Sequence, residues 1–242
     1  MNTKLVNLYI CLLLLALSSC SVIQKSSVDE IPEGIYRVQL HQTAVIKDTT
    51  KRIPEWTKVY LINDNDSIKG YALDTTKYHS EPFLLYPAMH VGKGVSLIQT
   101  SFDFDVFTTP FKYRAPIAGF PRQFNADFNG SVFLGYRIDK LTINQKTLFK
   151  DVKRDQFKKR GFGIGGFAGL STVFISPAFM NNTIDYEYDG LGIDYGIAAL
   201  FGFRKFNTGL SLGNDLLIDA NAKNWVYHNK PWIGIFIGFN LN

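Results

Sequence analysis

Trp232-Ile-Gly-Ile-Phe-Ile-Gly-Phe-Asn-Leu-Asn242 sets Ile233, Ile235, Ile237, Phe239 and Leu241 at alternate positions, with Gly234, Gly238 and Asn240 between them. A two-residue period marks a β-strand whose two faces meet different surroundings. Working back from the carboxyl end, five more segments repeat it: roughly 207–218, 192–204, 161–175, 128–139 and 96–108. Leu210, Leu212, Leu216 and Ile218 form the apolar face of the first, and Ile193, Tyr195, Ile197, Phe201 and Phe203 that of the second. Phe162, Ile164, Ala168, Leu170 and Phe174 follow, then Val132, Leu134, Tyr136 and Ile138, and finally Ile98, Phe102, Phe104 and Val106. The opposite faces collect Asp103, Asp105, Arg137, Asp139, Asp194, Arg204 and Asp215, with Asn129, Ser131, Ser171, Ser211 and many glycines.

Periodicity alone leaves open which face is inside. A soluble sheet buries its apolar face, whereas a membrane barrel turns it to lipid. Two features favour lipid. The segments run about 11 to 13 residues, near the length of a tilted membrane strand. Their polar faces also carry Gly, Asp and Arg rather than the Lys and Glu of a water-washed surface. The expectation is an all-β fold: an antiparallel up-and-down membrane β-barrel of about eight strands, occupying residues 94–242. The segments found number six, and a hairpin of Lys58–Asn63 with Ile68–Leu73 across Asp64-Asn65-Asp66-Ser67 is a candidate for the missing pair. Otherwise residues 32–93 form a small periplasmic sheet. The shortest link, Lys205–Asn207, belongs on the periplasmic side, where such proteins keep short turns. Parity then puts 109–127, 176–191 and 219–230 outside the cell. It puts the basic segment Lys146–Arg160 in the periplasm, unless its flanking strands extend well past the membrane.

The amino end explains how such a chain reaches a membrane. Lys4 precedes an apolar run, Leu5–Leu17, that is too short to span a bilayer as a helix. A charged start, a brief apolar core and small residues read as a secretory signal over residues 1–19. Cys11 lies inside that core, so an exported chain keeps Cys20 as its one thiol and has no disulfide framework. Residues 20–31 read as a tether. With 20 Phe, 12 Tyr and 20 Gly, and without Ala-Glu-Lys-Leu blocks, the composition favours sheet and tight turns.

Four groups bear on chemistry. Asp103, Asp105, Arg137, Asp139, Asp194, Arg204 and Asp215 read as a neutralising network inside the barrel, because buried charges must be paired. Paired carboxylates such as Asp103 and Asp105 also suit acid–base work or a cation. Lys150, Lys153, Arg154, Lys158, Lys159 and Arg160 form a run suited to a solvated connection or to anionic lipid headgroups. The basic excess of +5 is concentrated there, which argues against nucleic acid as a partner. Asp185, Glu187 and Asp189 lack the spacing of a calcium loop, and His41, His79, His90 and His228 lack that of a zinc site. Gly161-Phe-Gly-Ile-Gly-Gly166 sits in a strand pattern, not at the strand-to-helix turn that a phosphate-binding glycine loop requires. No metal site, cofactor or catalytic residue is expected.

Leu17-Ser18-Ser19-Cys20 resembles the lipobox of bacterial lipoproteins, which implies cleavage before Cys20 and acylation of that residue. The final strand resembles that of outer-membrane barrels, apart from a terminal aromatic residue. Phe102-Asp-Phe-Asp-Val106, Phe111-Lys-Tyr-Arg114, Pro121-Arg-Gln-Phe-Asn-Ala-Asp-Phe-Asn-Gly130, Gly135-Tyr-Arg137, Asp185-Tyr-Glu-Tyr-Asp-Gly190 and Lys230-Pro-Trp-Ile-Gly234 resemble a family of uncharacterised Bacteroidota outer-membrane β-barrel-like lipoproteins. The resemblance covers roughly residues 95–242 and implies compartment and fold, with no activity to carry over. The functional expectation is a non-enzymatic, lipid-anchored outer-membrane protein, its amino-terminal segment facing the periplasm. It is structural or binds an envelope protein, and membrane lipid is its other partner. The alternatives are a lipid-modifying barrel enzyme using His228 with Ser171 or Ser211, and a soluble β lipoprotein that binds a ligand or partner.

Overall fold

The computed structural model describes residues 31–39, 42–46, 49–64, 67–74, 83–86, 95–117, 119–149, 152–203 and 206–241. Residues 1–30, which include Cys20, and His41, His79, His90, Lys150 and Arg204 lie outside the described residues. The protein is all-β and antiparallel. Its strands in chain order are β1 (Gly34–Val38), β2 (Gln42–Ile46), β3 (Thr49–Ile53), β4 (Lys58–Asp64), β5 (Ser67–Ala72), β6 (Phe83–Tyr86) and β7 (Val95–Arg114). Then follow β8 (Gln123–Asn125), β9 (Asn129–Phe149), β10 (Val152–Ile175), β11 (Tyr188–Phe203), β12 (Phe206–Leu217) and β13 (Pro231–Asn240).

Six of these close a ring in the order β7, β9, β10, β11, β12, β13, with β13 returning to β7. Eight strands were expected, and the hairpin proposed to complete the count is β4–β5, which lies elsewhere. The free edge of β7 is divided: Leu97 and Ile98 pair with β1, while Asp105–Arg114 pair with β13. From β1 the sheet continues through β4, β5, β6, β2 and β3 as an appendage to the ring. The strands are unequal. β13 and β12 have 10 and 12 residues, whereas β7, β9 and β10 have 20, 21 and 24. The three long strands overshoot the ring at its basal end, where the appendage is attached. The segment Lys146–Arg160 is therefore largely paired strand, with β9 ending at Phe149 and β10 starting at Val152.

β7 does not stop near 108 as its alternation suggests. Thr108 faces Ile237 and Phe111 faces Ile235, so Thr109 and Pro110 together oppose Phe236. This bulge suits Pro110, which has no N–H to give a regular ladder. It also reverses parity. Asp103, Asp105, Phe107 and Thr109 point inward before it, and Lys112 and Arg114 after it.

The ring is polar inside and apolar outside. Asp103, Asp105, Asn129, Ser131, Arg137, Asp139, Ser171, Asp194, Asn207, Ser211 and Asp215 are buried, while Phe102, Leu134, Ile164, Ile197, Leu210 and Ile235 are all well exposed. Below the ring the same strands invert this. Along β9, inward residues change from Arg137 and Asp139 to Leu141 and Ile143, and outward residues from Tyr136 and Ile138 to Lys140 and Thr142. Leu141 and Ile143 join Val95, Leu97, Tyr36, Val38, Val59, Leu61 and Ile68 in an apolar core between the strand extensions and the appendage, with Phe157 packed against it.

Candidate functional site

The interior of the ring holds two charged clusters separated by an apolar plug. The distal cluster is built from β7, β11 and β12. Lys112 Nζ lies 3.0 Å from Asp215 Oδ1 and 3.8 Å from Asp194 Oδ2. Arg114 Nη2 donates to Asp215 Oδ2, Trp232 Nε1–H donates to Asp215 Oδ1 at 3.0 Å, and Ser131 Oγ donates to Asp194 Oδ2 at 3.1 Å. The Lys112 ammonium also lies 4.6 Å from the centre of the Trp232 ring. The Arg114 guanidinium stands 5.6 Å from the ring of Trp225 and 5.2 Å from that of Tyr227. Two cations thus meet two carboxylates under an aromatic lid, a favourable arrangement for charge removed from water.

The plug is Phe107, Phe133, Phe167, Ala198, Leu200, Trp232 and Phe236. Phe107 contacts Phe236 with ring centres 4.5 Å apart and Phe167 at 5.3 Å. A six-stranded ring is narrow, and these side chains fill it. Glycines make the space: a Cβ on Gly202 would overlap the Arg137 guanidinium.

The basal cluster centres on Arg137. Its Nε donates to Asp139 Oδ1 at 2.8 Å and its Nη1 to Asn207 Oδ1 at 3.2 Å, with Asp103 Oδ2 at 3.7 Å. Lys159 Nζ reaches Asp139 Oδ2 at 3.2 Å. Asn207 Nδ2 donates to Asp105 Oδ2, whose partner oxygen accepts the Leu241 N–H at 3.2 Å.

The charged residues of the inner face gather in two places, and cations that the alternation did not point to join them. Arg204, expected to share in the compensation, lies outside the described residues. Among the described residues Lys112, Arg114 and Lys159 join Arg137 in pairing with these carboxylates. Alternation gave no sign of the first two, because the bulge at Thr109-Pro110 hides their parity; Lys159 was assigned to the surface run. The rest of that run divides. Lys158 and Arg160 are exposed on the outer face. Lys153 and Arg154 lie in β10, with side chains outside the description.

Asp185, Glu187 and Asp189 are exposed, and no three potential ligands gather in a metal-holding group among the described residues. His228 is half-buried, and its Nδ1 accepts the Leu217 N–H at 3.4 Å. Ser171 and Ser211 are buried inside the ring, and neither is a hydrogen-bond partner of His228 among the described residues. Gly161, Gly163 and Gly165 occupy inward positions in the middle of β10. Outside the ring, Tyr188 Oη donates to Asp219 Oδ2 at 2.6 Å and the Asn221 N–H to Asp219 Oδ1 at 2.8 Å. That backbone hydrogen bond, with the Tyr188 hydroxyl second, holds the Asp219 carboxyl below its ordinary pKa. Comparison with protein-family models, curated proteins and solved structures finds no match for this chain.

Proposed function

We propose that this protein is an outer-membrane lipoprotein whose six-stranded ring spans the bilayer as a small barrel. Its role is that of a structural or interaction component of the cell envelope, not a pore. The observation that carries the reading is the inversion along β9 between Asp139 and Lys140. Strand and side-chain parity continue unchanged, yet the outward face passes from apolar to polar and the inward face from charged to apolar. Burying Arg137 and Asp139 while exposing Tyr136 and Ile138 is unfavourable in water, where exposed apolar area costs about 25 cal/mol per Å². It is favourable in hydrocarbon, which cannot solvate charge. A change of surroundings at that level accounts for both halves.

Dimensions support the same reading. From Phe162 to Phe174 the exposed apolar face of β10 covers thirteen residues, roughly 40 Å end to end at about 3.3 Å per step. A tilt of about 45° brings that to the ~30 Å of a hydrocarbon core. At the basal rim Phe162 and Phe201 contact each other, as do Phe206 and Phe239, and Phe203 lies opposite Arg160; this suits an interfacial aromatic girdle. The aromatic plug argues against conduction. Cys20 then carries the acyl chains, on the same side as the appendage.

A denaturing gel tests the reading directly. The folded chain is expected to migrate differently before and after boiling and to float with phosphatidylcholine vesicles after refolding. Identical mobility together with a soluble, non-floating chain would remove its support.

A further inference from the structure

We infer that one side of the wall carries a binding belt for the headgroups of anionic phospholipids in the periplasmic leaflet, a proposal that rests on the membrane-spanning reading above. The belt is a single row across five strands. Arg160 on β10 is opposite Lys140 on β9, Lys140 is opposite Ile98 on β7, Ile98 is opposite Arg37 on β1, and Arg37 is opposite Lys58 on β4. At about 4.8 Å between strands the row is roughly 19 Å wide. All four cations are exposed, as is Lys158, two residues further down β10. None of the five forms an ion pair among the described residues. Lys159, whose side chain has the opposite parity, is by contrast paired with Asp139.

Two of the pairings are like-charged and directly opposed, Arg160 with Lys140 and Arg37 with Lys58. Such pairs destabilise a sheet unless an anion neutralises them. The row contains no carboxylate, and none of its cations forms an ion pair among the described residues, so an anion bound along it would relieve the repulsion. The distal rim differs: there Arg122, Lys223 and Lys230 share the surface with Asp185, Glu187 and Asp189, all exposed.

The neighbouring row identifies the occupant. One step toward the ring, about 7 Å along each strand, Phe162 is opposite Ile138 and Ile138 opposite Thr100, while Ile35 is opposite Tyr60. Phe162, Ile138, Ile35 and Tyr60 are exposed. The apolar band therefore extends onto β1 and β4, and the cations begin immediately beneath it. Trp56, 57% exposed and bonded through its N–H to Val38 O, lies two residues before Lys58, on the side of the row away from the ring. An acidic protein or a nucleic acid would match the cations and leave the apolar row uncovered. A phospholipid supplies an acyl chain for one row and a phosphodiester for the other.

The test uses the full chain purified in a zwitterionic detergent and mixed with equal amounts of phosphatidylglycerol and phosphatidylcholine, with retained lipid counted by native mass spectrometry. The wild type should retain phosphatidylglycerol by roughly tenfold over phosphatidylcholine, from several cations each favouring anionic lipid. The R37Q/K58Q/K140Q/R160Q variant should lose that preference, and so in part should K140Q/R160Q, which leaves the appendage untouched. High salt should weaken it in the wild type. R122Q/K223Q/K230Q, at the distal rim, should keep it. Equal retention by the wild type, a preference that survives in the fourfold variant, or one lost in the distal variant would each overturn the belt. Insertion into phosphatidylcholine vesicles, followed in parallel, separates the two ideas. An inserted protein without lipid preference sinks only the belt, and a wild type that fails to insert sinks the spanning reading and the belt with it.

Discussion

Arg137 has three polar neighbours inside the ring, Asp103, Asp139 and Asn207, and almost no contact with solvent. Arg137→Ala leaves Asp103, Asp139 and the Asn207 amide without their shared donor, and breaking a buried pair in this way costs about 3–5 kcal/mol. The temperature at which the compact gel form is lost should fall clearly; an unchanged transition would show that the cluster contributes little. Gly202→Val should act on the same place from the opposite wall, since its side chain would occupy the volume of the guanidinium. Overpacking of this kind costs about 1–3 kcal/mol, read as a lower transition temperature in the same gel assay. Asp219 supplies a pH-dependent contact outside the ring. Its pKa is lowered on folding, so its stabilising effect is complete above the ordinary carboxylate value and disappears as pH falls through the lower, folded one. Protection of the Asn221 amide, its exchange relative to an unstructured amide at the same pH, should therefore decline below about pH 4, and Asp219→Asn should flatten that dependence.

At the scale of one strand, the bulge in β7 decides which charges enter the ring. Pro110→Ala keeps the residue count and should shift stability by less than about 1 kcal/mol. Deleting Pro110 should return β7 to regular alternation, turning Lys112 and Arg114 outward and leaving Asp194 and Asp215 buried without cations. A deletion variant that still gives the heat-sensitive gel shift of the wild type would show that the bulge does not hold the distal cluster together. The same element explains why part of the interior was unreadable from sequence. Asp103, Asp105, Arg137, Asp139, Asp194 and Asp215 follow simple alternation, and all six are buried. Lys112 and Arg114 fall on the apolar parity if the alternation is run straight through Pro110. The β9–β10 extension was obscured for a related reason: its polarity inverts at Lys140, so a strand that continues resembles a basic connection.

At the scale of the molecule, the appendage and the ring share one core. Val95, Leu97, Leu141 and Ile143 come from the ring strands and pack with Tyr36, Val38, Val59, Leu61 and Ile68. Each such side chain contributes about 1.5–3 kcal/mol when buried. Residues 31–94 alone should therefore show no cooperative melting transition in circular dichroism, and a cooperative one would show that the appendage folds independently. Cys20→Ala should still fractionate with outer membranes, because on the proposed reading the ring itself holds the protein in the bilayer; release into the soluble fraction would contradict that. The sequence alone determined the β class, the six alternating segments and the separation of charge from apolar surface, because strand periodicity is local and needs no partner to be read. The tertiary structure decided which face is inside, how many strands close the ring and which cations neutralise the buried carboxylates. Those depend on register between strands, and a single bulge or a divided edge, as in β7, changes register without leaving a local mark.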